Sequence, residues 1–150
     1  MDIGDAGSWA ADWLWAVLLI LIVAAIHVVG LMLIDRKVVT VLGRASGRHR
    51  FLPWFVVVMG ITAILVTILH GFEGVVWALA YRALGAVPDN KTAMLYSISA
   101  MTSYGHAGVY LEARWQMLGA LEALNGMMMF GVTTAFLFNT MQKLRMFDPS

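Results

Sequence analysis

The chain contains no cysteine and little charge. Of its 150 residues, 13% are acidic or basic, and only three are proline. The lack of cysteine excludes disulfides and thiolate metal sites, and it leaves the redox compartment of the protein undetermined. A water-soluble domain of this length carries about twice this share of charged residues, so the composition excludes that class. The net charge of +1 favours no acidic partner, and we predict no nucleic-acid binding.

Long apolar runs take the place of charge. Hydrophobic residues make up 61% of the chain. The run over residues 13–34 has no formal charge, and as a helix it would be roughly 33 Å long, about one hydrocarbon thickness. Further runs cover residues 51–80 and 113–141. The pattern predicts an all-α protein with three transmembrane helices in a lipid bilayer.

The basic residues indicate the orientation. Half of them lie between residues 36 and 50, as Arg36, Lys37, Arg44, Arg48 and Arg50. Short loops rich in Lys and Arg stay in the cytoplasm, and Lys143 and Arg145 follow the last apolar run. We therefore predict a multi-pass protein of the cell (inner) membrane, with its N-terminus outside and its C-terminus in the cytoplasm.

The chain is expected to divide at residue 50. Residues 1–50 contain the first transmembrane helix and a basic cytoplasmic loop, and residues 51–150 form a second unit. In that unit the pattern predicts an outer helix over 51–84, a short helix over 91–101, a loop over 102–106 and an inner helix over 113–143. The outer helix would be roughly 51 Å long, so it either projects beyond the membrane surface or breaks near Gly71 and Gly74. Asp89 or Asn90 is expected to cap the short helix.

The stretch between the second and third apolar runs is too short and too polar to cross a bilayer alone. Its helix ends in Thr102-Ser103-Tyr104-Gly105-His106. Non-helical backbone persists at membrane depth only where protein buries it or where it lines a wet cavity. We predict a re-entrant pore helix followed by a filter loop. The alternative is a simple turn outside the membrane.

The order of span, short helix, Tyr-Gly and span resembles the pore domain of potassium-channel-type ion channels, over about residues 51–141. The family's filter is Thr-Val-Gly-Tyr-Gly, and the aligned residues here are Met101-Thr102-Ser103-Tyr104-Gly105. Ser103 replaces the first filter glycine and Met101 replaces a threonine. These departures leave open whether the selectivity is for potassium or only weak among monovalent cations.

The resemblance also implies an assembly and a set of site residues. One chain supplies one loop, so a central pore implies a homotetramer that conducts K⁺ or another monovalent cation passively, with no other cofactor. Carbonyl oxygens of the filter residues would hold the cation: Thr102, Ser103, Tyr104 and Gly105. Filter support is assigned to Glu73 and Tyr96. The pore-lining or gating residues would be Glu122, Asn125, Gly126, Met129, Thr133 and Phe136.

Some of these residues have more specific expected roles. Gly126 fits the family's inner-helix hinge, and Met129 with Phe136 could form a hydrophobic gate. His106 replaces the usual acid at the outer mouth, where its protonation near pH 6 would repel cations. Glu122 is protonated, paired with Arg114 or a neighbouring chain, or faces the cavity, because an unpaired carboxylate rarely faces lipid.

Two histidines raise other possibilities. His27 and His70 could be axial ligands of a haem, but counted from the basic ends of their runs they lie at about 12 Å and 28 Å, which argues against one shared haem. Together with Glu73 and Glu122 they favour an alternative function, a proton-coupled or accessory membrane subunit. No nucleophile–base pair, phosphate loop or metal-ligand spacing is evident, so we do not expect an enzyme.

Overall fold

The computed structural model describes residues 3–45, 51–105 and 108–146, with side chains for 12–40, 52–105 and 108–146. Most of the described residues are helical, and none of them forms a strand. The helices are α1 (Ile3–Ala45), α2 (Phe51–Ala83), α3 (Asn90–Met101) and α4 (Gln116–Arg145), with a short 3-10 turn at Ala113–Trp115 before α4.

Three of these helices are long and apolar enough to cross a membrane. The qualifying segments are Asp12–Thr40, Leu52–Ala83 and Ala113–Arg145. For the residues that the structure describes, the predicted all-α fold with three helices long and apolar enough to span a membrane is therefore confirmed. α2 runs unbroken through Gly71 and Gly74, which removes the predicted alternative of a break there.

α1 is longer than the sequence interpretation allowed. We placed the basic residues from Arg36 onward in a loop, but the helix continues to Ala45. A single glycine such as Gly43 costs a helix only about 1 kcal/mol, and charged side chains at this end have partners. Lys143 of α4 donates a hydrogen bond to Asp35 of α1 over 2.7 Å. Asp35 therefore marks a contact between helices and not the end of the helix.

Contacts between side chains give the relative directions of the spanning helices. His27 of α1 contacts Glu73 of α2, and further along α1 Val38 packs in the same apolar cluster as Val58. The two helices therefore run antiparallel. Between α1 and α4, His27 contacts Thr133 and Asp35 contacts Lys143. Because the residue numbers rise in the same direction on both helices, α1 and α4 run parallel.

Two apolar clusters fill the interior, and a polar layer separates them. The first joins all four helices and includes Ala16, Val23, Trp77, Tyr81, Ala93, Leu118 and Leu121. The second joins the other ends of the spanning helices, through Leu31, Ile34, Val38, Val58, Val66 and Leu144. The buried polar residues between them include His27, His70, Glu73 and Thr133. The candidate site residues lie in this layer and at the end of α3.

Candidate functional site

Asp89 fixes the start of α3. Its backbone is extended (φ −148°), and its carboxylate accepts hydrogen bonds from the Thr92 amide at 2.9 Å and the Thr92 hydroxyl at 2.6 Å. These bonds satisfy an amide that the first helical turn would leave unpaired. The hydrogen bond from the Thr92 side chain is the main reason that the pKa of Asp89 lies below its ordinary value. Of the two capping residues predicted, Asp89 is therefore the N-cap.

α3 is packed between α2 and α4. One side of α3 is buried and includes Ala93, Tyr96, Ser97, Ala100 and Met101. Ser97 donates a hydrogen bond to the Gly74 carbonyl of α2 over 2.9 Å. Burial raises the pKa of Tyr96 to about 12, with a smaller contribution from Glu122. The Tyr96 side chain therefore stays neutral and packs in the apolar core on the buried side of α3.

The end of α3 rests on a glycine of α4. A Cβ atom on Gly126 would lie 2.7 Å from Met101 Cα and 2.9 Å from its carbonyl carbon. The glycine thus allows a close backbone approach. We predicted a hinge at Gly126, and the structure places it as a packing surface for the last residue of α3.

The loop after α3 begins with a helix cap. The Ser103 amide donates to Ala100 O and the Tyr104 amide to Ser99 O, each over 3.1 Å. This pair of bonds, with Ser103 in the left-handed region, is a Schellman motif. Ser103 has φ +54° and is the only non-glycine residue with positive φ in the described part of the chain. In the resemblance described above, Ser103 aligns with a filter glycine, a residue that adopts positive φ without a Cβ penalty.

The left-handed conformation recurs two residues later. The backbone angle φ is −88° at Thr102. It is +54° at Ser103 and +90° at Gly105, and it is not positive at Tyr104. The sign of φ therefore alternates over four residues. No backbone N–H of the described residues donates to the carbonyl oxygens of this loop. All four residues are exposed, Tyr104 to 80%. His106, predicted at an outer mouth, lies outside the described residues.

Glu122 is buried inside the chain and binds two hydroxyl groups. Glu122 Oε2 accepts a hydrogen bond from the Tyr81 hydroxyl of α2, Glu122 Oε1 forms a hydrogen bond with the Ser97 hydroxyl of α3, each over 2.5 Å, and the Glu122 side chain is fully buried. Arg114, the partner suggested by the sequence, contacts Glu112 at 3.2 Å. Glu122 therefore ties α2 and α3 to α4.

The predicted pore-lining residues of α4 also face into the chain. Asn125 and Gly126 are buried, as are Met129 and Thr133, and Phe136 is half-buried. A residue that lines a pore between chains must be left open by its own chain. The exposed side of α4 is a different one, and it carries Leu124, Met127, Met128, Gly131, Thr134 and Phe138.

The polar layer contains a closed ring of four side chains. Glu73 of α2 contacts His27 Nδ1 at 2.8 Å through Oε1 and His70 Nδ1 at 3.1 Å through Oε2. The Thr133 hydroxyl lies 3.0 Å from His70 Nε2 and 3.3 Å from His27 Nε2. Every ring nitrogen of the two histidines thus faces Glu73 or Thr133. Glu73 was predicted to support the filter, whereas its contacts are with these histidines.

The sequence interpretation missed this ring for an identifiable reason. It measured the depth of His27 from Asp35, but α1 ends at Ala45, so His27 lies 18 residues from its helix end and His70 lies 19 residues from Phe51. The two imidazoles are at one level, with ring centroids 5.1 Å apart. The height argument against a shared ligand was therefore wrong. The spacing His70-x-x-Glu73, which puts both side chains on one helix face, was the available signal.

The ring brings together three side chains of the types that serve as metal ligands. One ligand atom from each of His27, His70 and Glu73 lies within 4.8 Å of the other two. His27 and Glu73 are fully buried and His70 is 9% exposed.

Comparisons with protein-family models, with curated proteins and with solved structures found no match to this chain. The resemblance to the pore domain of potassium channels therefore remains a prediction from the residues.

Proposed function

We propose that this protein is a homotetrameric cation channel of the potassium-channel type, with the loop Thr102–Gly105 as its ion filter. The observation that carries the proposal is the alternating sign of φ across that loop. An alternating sign of φ supports the arrangement of such a filter, in which successive carbonyl oxygens line one side of the loop. A row of such oxygens replaces the hydration shell of a cation.

The surroundings of the loop favour a cation. α3 ends at Met101, and the C-terminal end of a helix carries partial negative charge. The Ser103 conformation alone is that of an ordinary helix cap, as described above. Gly105 lies beyond the cap, and its φ of +90° extends the alternation past what a helix end requires.

The exposure of α4 supports a different pore lining for the proposed tetramer. The buried residues Asn125, Met129 and Thr133 lie inside each chain. The exposed stripe Met127, Gly131, Thr134 and Phe138 has the spacing of one helix face. We therefore move the proposed pore lining from the predicted face to this stripe, with Phe138, 55% exposed, as the hydrophobic constriction.

Ion flux tests the proposal directly. Purified protein is reconstituted in liposomes, and flux is measured under a potassium gradient, under a sodium gradient and without protein. We expect protein-dependent cation flux and a fourfold assembly in mild detergent. A correctly folded chain that gives no flux above the protein-free control would contradict the proposal.

A pair of glycine variants links the flux to the loop. Gly105→Ala places a Cβ on a residue with φ +90°, although no atom lies within 4 Å of it. The variant therefore acts through backbone strain and not through a clash. Gly60→Ala is the matched control, because Gly60 also has open space but lies inside α2. We expect Gly105→Ala to lower the flux at least about tenfold and Gly60→Ala to leave it unchanged.

The ring of His27, His70, Glu73 and Thr133 supports a second candidate, a proton-coupled or accessory membrane subunit. Buried ionisable groups at membrane depth commonly serve binding or proton transfer. The two candidates differ in assembly. A fourfold ring of identical chains favours the channel, and a monomer or a complex with a different protein favours the subunit.

A further inference from the structure

The ring of His27, His70, Glu73 and Thr133 lacks one positive charge. Two neutral imidazoles and one hydroxyl supply three protons, whereas the ring has four contacts. One contact must therefore join two lone pairs, which is unfavourable in a buried site. One additional cation, either a metal ion or a proton, would remove this conflict.

The geometry of one contact favours a metal ion over a proton. His70 Nδ1 and Glu73 Oε2 are 3.1 Å apart, yet neither atom has a partner with hydrogen-bond geometry, and both are buried. A shared proton needs a nearly linear N–H···O arrangement. A metal ion instead lies to one side of the line between its ligands and holds them roughly 3.3 Å apart in tetrahedral coordination.

We propose that His27, His70 and Glu73 bind one divalent first-row transition-metal ion. The ligands are the two Nδ1 atoms and the carboxylate of Glu73, because both Nδ1 atoms face that carboxylate. Two imidazoles and one carboxylate form a donor set suited to Zn²⁺ and Fe²⁺. The ion would tie α1 to α2 between the two apolar clusters.

Thr133 positions the ligands. With both Nδ1 atoms bound to the metal, each Nε2 carries the proton and donates to the Thr133 oxygen at 3.0 and 3.3 Å. A hydroxyl oxygen has two lone pairs and can accept both bonds. Such outer-shell bonds fix the tautomer and the ring orientation of metal-binding histidines. The inference does not depend on whether the Thr102–Gly105 loop conducts ions.

The wild-type protein in detergent gives the first test, with Zn²⁺ as the probe. We expect one Zn²⁺ per chain after dialysis. We also expect the unfolding temperature to rise by roughly 5–10 °C when free Zn²⁺ exceeds its Kd a hundredfold, with the rise reversed by a chelator. A wild-type protein that binds no Zn²⁺ and unfolds at the same temperature with and without it would overturn the proposal, and the ring would then hold a proton.

Two pairs of variants locate the ion. Glu73→Gln should weaken Zn²⁺ binding at least a hundredfold, whereas Glu112→Gln, at an exposed carboxylate, should leave it unchanged. Thr133→Val should weaken binding 10–100-fold. Thr134→Val is the matched control, because the hydroxyl of Thr134 donates a hydrogen bond within its own helix at 2.9 Å. Equal affinity in Thr133→Val and Thr134→Val, or unweakened binding in Glu73→Gln, would overturn the site. If Glu73→Gln does not fold, the threonine pair and the wild-type measurement decide.

Discussion

Gly126 of α4 lies directly against the backbone of Met101, the last residue of α3. A Cβ at position 126 would come within 2.9 Å of both the Cα and the carbonyl carbon of Met101. Backbone atoms cannot rotate away as a flexible side chain can, so any larger residue at 126 must displace the end of α3. The position of the loop that follows α3 therefore depends on this glycine.

We predict that Gly126→Ala destabilises the protein and Gly131→Ala does not. Overpacking against rigid atoms costs about 1–3 kcal/mol. A Cβ on Gly131 meets nothing within 4 Å, and alanine in a helix is favoured over glycine by roughly 0.5–1 kcal/mol. Thermal unfolding of both variants in detergent measures the difference. Equal unfolding temperatures would mean that α3 does not rest on Gly126.

Local rules predicted the helices well, because long apolar runs and a capping residue are visible in the sequence. α2 and α3 end within a residue or two of the predicted positions, and α3 starts after Asp89. The end of α1 was less accessible. Asp35 lies inside α1 and contacts Lys143, more than a hundred residues away, and no local pattern reveals such a pair.

The side of α4 that faces inward could not be predicted for a related reason. In a soluble helix, polar residues mark the exposed face, whereas the predicted pore residues came from the resemblance to a channel and from their helical spacing. Here the interior contains the polar groups, and Asn125 and Glu122 are fully buried, whereas the exposed face carries apolar residues such as Met127. In a chain of this composition polarity alone does not distinguish a pore from a buried polar layer.

Ser103 provides a second prediction, about backbone strain. We expect Ser103→Gly to leave stability unchanged or raise it by up to about 1 kcal/mol, because glycine adopts the φ of +54° without the Cβ penalty. Ser103→Val should lower stability by about 1–2 kcal/mol. Ser99→Gly, inside α3, is the control and should destabilise modestly. The same sign of change at both serines would argue against strain at Ser103.

A third prediction concerns acid and the start of α3. The pKa of Asp89 is lowered in the folded chain, first by the hydrogen bond from the Thr92 side chain. The charged carboxylate therefore contributes stability above its unfolded pKa of about 3.9, and that contribution is lost as the pH falls through the lower, folded value. The protection factor of the Thr92 amide against hydrogen exchange should fall below about pH 4. In Asp89→Asn the amide oxygen still caps the helix but does not titrate, so this acid-dependent step should disappear.

The last prediction follows from the protons around Glu122. Ser97 contacts both the Gly74 carbonyl at 2.9 Å and Glu122 at 2.5 Å, and Tyr81 contacts Glu122 as well. These three contacts need three protons, but the two hydroxyls supply only two. A protonated Glu122 that donates to Ser97 supplies the third.

A glutamine at position 122 has the same shape and can donate an N–H to Ser97. Glu122→Gln should therefore unfold within about 1 kcal/mol of the wild type. Glu122→Ala leaves the buried Tyr81 hydroxyl without an acceptor and the Ser97 oxygen without a donor, adds a cavity, and should cost about 3–5 kcal/mol. Thermal unfolding of Glu122→Gln, Glu122→Ala and Tyr81→Phe in detergent measures these effects. A loss in Glu122→Gln as large as that in Glu122→Ala would indicate that the charged carboxylate is required.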